Sequence, residues 1–375
     1  MKKVVIAIDS FKGCLPSVEA GKAAAEGIRS VYPECEVICL PIADGGEGML
    51  DVLIMATNGQ EVPISAHDPL MRWRNTYYDI SENGETAFIE MASISGLPLV
   101  PPERRNPMLT TTYGTGEIIR DALERGCRNF IIGIGGSATN DAGLGMLQAL
   151  GFRFSDKEGK EVGTGRGEVL IKVAHIDSTC VHPALNSCRF TVACDVQNPF
   201  YGPEGAAYVF APQKGADREM VEALDAGLQN FAEVIRHTTG KDISHHPGAG
   251  AAGGMGGSLL AFLNAELKPG IQLMLEALDF SNKIKSADLI ITGEGKADRQ
   301  TLMGKVPSGI LAEARKQNIP VILLAGNIED SDELQQAGFE GVFSVNPPFI
   351  SLEEAMRPEV ARKNIQQTVE SICKK

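Results

Sequence analysis

The feature that most constrains this chain is an interrupted strand. Arg128–Gly145 opens with Phe130-Ile131-Ile132-Gly133-Ile134, a short β-branched run that reads as a strand buried on both faces. It breaks into Gly135-Gly136-Ser137-Ala138-Thr139-Asn140-Asp141, then resumes as a helical pattern on Leu144, Met146, Leu147 and Leu150. A strand that stops at a Gly-rich, hydroxyl-bearing turn leaves backbone N–H groups free at a helix start. A phosphate or carboxylate can sit there. Four further turns of acidic and polar residues recur at expected strand ends: Asp9–Gly13, Asp44–Gly48, Asp195–Asn198 and Gly293–Asp298. Helix-capping aspartates would explain any one of them. Capping alone does not require Gly-Gly-Glu-Gly and Gly-Glu-Gly-Lys at strand ends.

The two chain ends share one grammar. Val4–Ile8 reads as a core strand, followed by a helix from Ser17, a natural N-cap, to about Val31. Glu36–Pro41 is a second strand leading into the Asp44 turn and a helical pattern over Met49–Ala56. Near the other end, strands are expected at Ala287–Thr292, Pro320–Ala325 and Gly341–Val345. Helices are expected at Gly309–Gln317, Asp332–Ala337 and Ser351–Ile372. Five parallel strands joined by right-handed crossovers make a flavodoxin-like, doubly wound α/β sheet. Residues 1–60 and 285–375 would form that domain.

Residues 61–284 read as a large inserted α+β domain. Trp73–Ser81 and Thr86–Met91 form an antiparallel hairpin around Asn83-Gly84. Gly114–Arg125 is a helix, Ser155–Gly167 a polar surface loop, and Phe190–Ala193 a strand. The glycine-rich run Pro247–Ser258 precedes an apolar helix over Leu259–Leu267 with Ser258 as N-cap. It reads as an anion nest or as a close-packing hinge.

With 375 residues there is chain enough for two domains, and the net charge of -13 argues against a nucleic-acid or membrane-headgroup surface. The eight cysteines form no CxxC pair and lie mostly in apolar runs, as in a reduced cytoplasmic protein. Asp9 ends the first apolar run too early for a signal peptide, and no apolar stretch approaches a membrane span. The six histidines lack metal-ligand spacing. Gly133-x-Gly135-x-x-Ala138 is a relaxed dinucleotide fingerprint, but no strand-end acidic residue follows at the required distance. Neither Gly21-Lys22 nor Gly304-Lys305 has the upstream glycine of a P-loop. Lysines beside acidic turns (Lys12, Lys296, Lys305, with Arg299) suit a site where carboxylates hold Mg²⁺ and amines hold phosphate oxygens.

In order along the whole chain, Ile8–Lys12, Ala43–Gly48, Gly133–Asp141, Ala193–Val196, Gly205–Ala207, Pro212–Ala216, Pro247–Gly257 and Ile291–Gly295 resemble the bacterial type I glycerate kinases. Ile8 and Gly13 depart from the proline and glutamate common there. The resemblance implies ATP-dependent phosphorylation of D-glycerate, giving 2-phosphoglycerate rather than 3-phosphoglycerate, with Mg²⁺. It also implies a flavodoxin-like domain with a large insert, and an active site in the cleft between the two. The implied partners are small molecules, D-glycerate and ATP, for a cytoplasmic monomer or homodimer in glycerate/glyoxylate or sugar-acid catabolism.

The chemistry of phosphoryl transfer then assigns roles. Asp195 or Asp141 is expected to receive the hydroxyl proton. Asp44, Glu47 and Asp298 are candidates for Mg²⁺ or substrate hydroxyls. Ser10, Lys12, Gly45, Gly46, Gly135, Gly136, Ser137, Asn140 and Glu294 are candidates for substrate or phosphate contacts, and Lys305 for a nucleotide phosphate. Two rivals remain: a kinase for another small hydroxy acid, and a non-catalytic sensor that binds glycerate or nucleotide without turnover.

Overall fold

A computed structural model of the chain describes residues 1–43, 49, 52–54 and 58–374. The Asp44–Gly48 turn, with Asp44, Gly45, Gly46 and Glu47, lies outside the described residues, as does part of Met49–Ala56. The chain divides into two compact units, Met1–Ala56 with Pro269–Lys375, and Thr57–Lys268. In chain order the strands of the described residues are β1 (Lys3–Ile8), β2 (Glu36–Cys39), β3 (Gln60–His67), β4 (Trp73–Ile80), β5 (Thr86–Glu90), β6 (Asn129–Gly133) and β7 (Arg153–Ser155). They continue as β8 (His175–Asp177), β9 (Arg189–Ala193), β10 (Glu266–Lys268), β11 (Leu289–Ala297), β12 (Val321–Ile328) and β13 (Gly341–Ser344).

The unit built from both chain ends holds a parallel sheet in the order β13-β12-β11-β1-β2. Counted within the unit, this is the 2-1-3-4-5 order of a flavodoxin-like sheet. β1, β11 and β12 are apolar and buried along most of their length, as strands covered on both faces must be. The helix Ser17–Val31 presents alanines inward, and Gly27 lets the helix Pro358–Cys373 come close. A Cβ on Gly27 would lie 2.5 Å from the Gln366 carbonyl oxygen.

Three details differ from expectation. Ser17 does not cap its helix; its hydroxyl donates to the Ile8 carbonyl (2.6 Å) and accepts the Ile42 N–H (3.0 Å), joining the chain after β2 to the end of β1. β11 continues through Ala297 because β12 also continues, pairing Glu294 with Ala325 and Lys296 with Asn327. Glu294 is therefore a strand residue, not a loop residue. The last helix is split into Leu352–Ala355 and Pro358–Cys373, since Pro358 holds Arg357 in extended backbone.

The second unit has a six-stranded sheet in the order β10-β9-β6-β5-β4-β3. β10, β9, β6 and β5 run parallel, whereas β4 is antiparallel to both its neighbours, β5 and β3. The β4–β5 hairpin turns at Asn83-Gly84, with Gly84 at φ +73°. β3 escapes a sequence pattern because Pro63 and half-exposed residues dilute its apolar alternation, which an edge strand tolerates. Phe130 of β6 stacks on Phe190 of β9 at 4.7 Å in the core.

The glycine run after Pro247 packs tightly within this unit. A Cβ on Gly253 (φ +68°) would lie 2.1 Å from the Thr139 carbonyl oxygen. The helix beyond it spans Met255–Phe262, so Ser258 is inside it and donates to the Ala142 carbonyl instead of capping. Among the described residues, no helix is long and apolar enough to cross a membrane.

The helix Tyr113–Glu124 crosses Leu144–Ala149 at Gly116, where a Cβ would lie 2.3 Å from the Met146 carbonyl oxygen and 2.7 Å from Ala149 Cβ. Gly116→Ala is expected to destabilise the protein by about 1–3 kcal/mol through overpacking. Urea unfolding measures this, and an unchanged midpoint would show that the helices have room to spare.

Candidate active site

In the first unit the strand order reverses between β1 and β11, and ligands of open α/β sheets bind outside the carboxyl ends of strands at such a point. Asp9 follows β1 there. Its N–H donates to the Gly293 carbonyl (2.9 Å), and its carboxylate accepts the Ser10 N–H at 2.6 Å. Glu294, from β11, is 7% exposed. Thr301 donates its hydroxyl to Glu294 Oε1 at 2.6 Å, and Lys305 Nζ lies 3.9 Å from Oε2. Burial raises the Glu294 carboxyl above its ordinary range, with Asp9 and Asp298 adding to the rise, while Thr301 and Lys305 oppose it.

A cavity of about 340 Å³ opens at this point, with Asp9, Ser10, Lys12, Glu294, Lys296 and Lys305 along its polar side. Ser10, Lys12, Glu294 and Lys305 are thereby brought together. Asp298 is used differently. It caps the short helix Arg299–Leu302 by accepting the Gln300 N–H (2.8 Å), and its own N–H donates to Thr301 Oγ1 (2.9 Å). Lys296 lies 3.4 Å from Asp298 and 3.0 Å from Glu329, and Arg299 is held by Glu333, a structural ion pair. A hollow of about 710 Å³ elsewhere in this unit is flanked by helices Gly270–Ala277 and Val306–Arg315, without a residue of Asp9–Lys12 or of β11. Both are lined by ionisable groups, but only the smaller cavity lies at the β1/β11 strand ends, where Asp9 and Glu294 meet Lys12 and Lys305.

In the second unit β6 and β9 are parallel neighbours, Gly133 pairing with Ala193. The Gly135–Asp141 loop and the Asp195 turn therefore leave the same sheet edge. Gly135, Gly136 and Asp195 are exposed. Lys214, only 2% exposed, reaches the loop from a turn after Pro212. Its ammonium donates to Ser137 Oγ (2.8 Å) and to the Thr139 carbonyl (2.7 Å). Burial lowers its pKa to about 7 against the opposing pull of Asp141. Asn140 and Thr139 are buried, and the Asn140 amide and Thr139 hydroxyl have no hydrogen-bond partner.

Asp141 does not fit the expected role of proton acceptor. It is fully buried, and both oxygens are occupied. Oδ2 accepts from the Thr112 N–H (2.8 Å), the Thr112 hydroxyl (2.8 Å) and the Gly145 N–H (3.2 Å), and Oδ1 from the Gly143 N–H (3.2 Å). Burial raises its pKa, and these hydrogen bonds offset part of the rise. Thr112 Oγ1 also accepts the Met146 N–H (2.9 Å), so Asp141 ties the loop to the start of the next helix.

Lys214, Thr112, Thr301 and Asp9 carry weight that sequence reasoning did not assign. Asp9 was legible as a strand-end acid. Lys214 lies far along the chain from Ser137, and nothing local marks it as a loop partner. Among the described residues, no three His, Cys, Asp or Glu side chains converge as a metal site.

A family model described as the glycerate kinase family matches residues 4–375. A glycerate kinase from Bacillus subtilis (strain 168) is 46% identical over 99% of this chain and 97% of its own length. A glycerate 2-kinase from Escherichia coli (strain K12) is 47% identical over 95% of this chain and 93% of its own. A crystal structure named for glycerate kinase 2 of Salmonella typhimurium LT2 superposes with a TM-score of 0.89 at 44% identity, covering 100% of this chain and 97% of the other. Fold and likeness together define an α/β kinase. The chain belongs to the glycerate kinase family.

Lys214 has a pKa of about 7 in the folded chain against an ordinary 10.5. Between these values the unfolded chain binds the extra proton, so stability rises with pH across that window. Melting curves should show this rise from pH 7 toward 10, and Lys214→Met should lose it. Parallel pH profiles for the two proteins would contradict the assignment.

Proposed function

We propose that the chain transfers the γ-phosphoryl group of ATP to the C2 hydroxyl of D-glycerate, producing 2-phosphoglycerate and ADP with Mg²⁺ as the accompanying ion. The cavity at the β1/β11 reversal carries this reading, because buried Asp9 and Glu294 share it with Lys12 and Lys305. The names of the relatives support the substrate, and that of the Escherichia coli enzyme supports the hydroxyl.

Glycerate carries a carboxylate and two hydroxyls. Gly135 and Gly136, exposed on the loop, with Ser137 held by Lys214, suit an anionic oxygen. The C2 oxygen attacks the γ-phosphorus, the bond to the β-phosphate oxygen breaks, and the hydroxyl proton passes to Asp195. Asp195 fits this role better than Asp141, since it is exposed at the end of β9. Lys305 precedes the helix Val306–Arg315, whose first N–H groups and dipole add to its positive charge for the nucleotide phosphates.

Mg²⁺ uses one or two carboxylates and otherwise water and phosphate oxygens, so it requires no cage of protein ligands. Burial above all, and the charge of Asp9 to a lesser degree, raise the pKa of Glu294, and a divalent ion near both carboxylates would relieve their repulsion. These two would hold it, whereas Asp298 is occupied as a helix cap and Asp44 and Glu47 lie outside the described residues. The bound ion would neutralise charge on the phosphates. All eight cysteines are free thiols, in keeping with a cytoplasmic protein.

NMR of a reaction containing ATP, Mg²⁺ and D-glycerate should show phosphorus coupled to the single C2 proton. Coupling to the two C3 protons would move the reaction to the other hydroxyl, and absence of ADP would refute the kinase reading. Asp195→Asn should lower kcat by about 10²–10⁴-fold with KM near that of the parent. A kcat close to the parent's would remove Asp195 as the proton acceptor.

A further inference from the structure

Phosphate chemistry accounts for only half of the cavity at the β1/β11 reversal. Its remaining wall is apolar, formed by Phe11, Val345, Leu352, Ala355, Met356 and Ala361. Leu352 is 79% exposed and Met356 39%. Phe349, just before them, is fully exposed and held at φ +68°, a left-handed conformation that is costly for an aromatic residue. Large apolar side chains exposed together on one short segment mark a surface that meets a ligand.

Two asparagines line the same cavity. The amide of Asn346 is fixed, donating to the Gly326 carbonyl (2.8 Å) and accepting from Asn364 (3.2 Å). Among the described residues, the Asn327 side chain makes one long hydrogen bond, 3.5 Å to Glu329, so its amide is available to a ligand. The volume of about 340 Å³ falls within the range of small-molecule sites.

We propose that the apolar end of this cavity seats the purine base of the nucleotide, with Asn327 hydrogen-bonding its edge and Leu352 and Met356 closing over its face. The inference rests on the phosphotransfer reading above. An occupant must be apolar at one end and anionic at the other, as a nucleotide is. Without a P-loop to grip the phosphates, recognition of the base supplies affinity that the phosphate contacts do not. A thioether against an aromatic ring is a favourable contact, and Met356 can provide it.

Filling the seat tests this. Ala355→Trp should raise the KM for ATP at least about tenfold while leaving the KM for D-glycerate within about threefold. An unchanged KM for ATP in the folded variant overturns the proposal. Calorimetric titration with adenosine, which has no phosphate, should show binding to the parent and none to Ala355→Trp. Tripolyphosphate should bind both. Adenosine binding does not depend on turnover, so a chain that fails to phosphorylate D-glycerate would refute the kinase reading and leave the base seat testable. If Ala355→Trp does not fold, photo-crosslinking of the parent with 8-azidoadenosine decides. Label in the peptide carrying Leu352–Met356 supports the seat, and label only elsewhere overturns it.

Discussion

The parallel ladder between β1 and β11 positions the chemistry of the first unit. Five residue pairs, from Val4–Leu289 to Ile8–Gly293, join segments from opposite ends of the chain. Both strands are buried and apolar, so a slip in register would leave backbone N–H and C=O groups unpaired in the core. The ladder ends with the Asp9 N–H on the Gly293 carbonyl, which sets Asp9 beside Glu294. Since β2 lies on the other side of β1, the crossovers diverge there and leave a crevice at the strand ends.

Two carboxylates near one another and away from water raise an electrostatic cost that the local structure only partly offsets. Thr301 donates to Glu294 and is itself oriented by the Asp298 N–H, so the Asp298 cap acts on Glu294 through Thr301. Lys305 supplies opposite charge from the start of the following helix.

In the second unit the same kind of strand end is stabilised from within. The four hydrogen bonds to Asp141 offset part of the desolvation of its charge, and the buried Lys214 anchors Ser137 and the Thr139 carbonyl. Gly135 and Gly136 remain exposed on a loop whose base is held by buried hydrogen bonds. Rigid support beneath exposed N–H groups is what preorganised anion binding requires.

Much of this was legible in the residues themselves. The apolar runs at Val4–Ile8, Phe130–Gly133 and Val321–Ala325 announce buried strands, and the acidic or glycine-rich residues after them announce turns at the sheet edge. Local periodicity determines such features because each depends on side chains a few positions apart. Only the tertiary structure decided that Glu294 belongs to a strand, that Ser17 and Ser258 bond to distant carbonyls rather than cap helices, and that Asp141 is taken up by Thr112 and the start of the next helix. It also brought Lys214 to Ser137 across 77 positions. Hydrogen-bond partners remote in sequence are chosen by which groups packing leaves unpaired, and no local pattern contains that information.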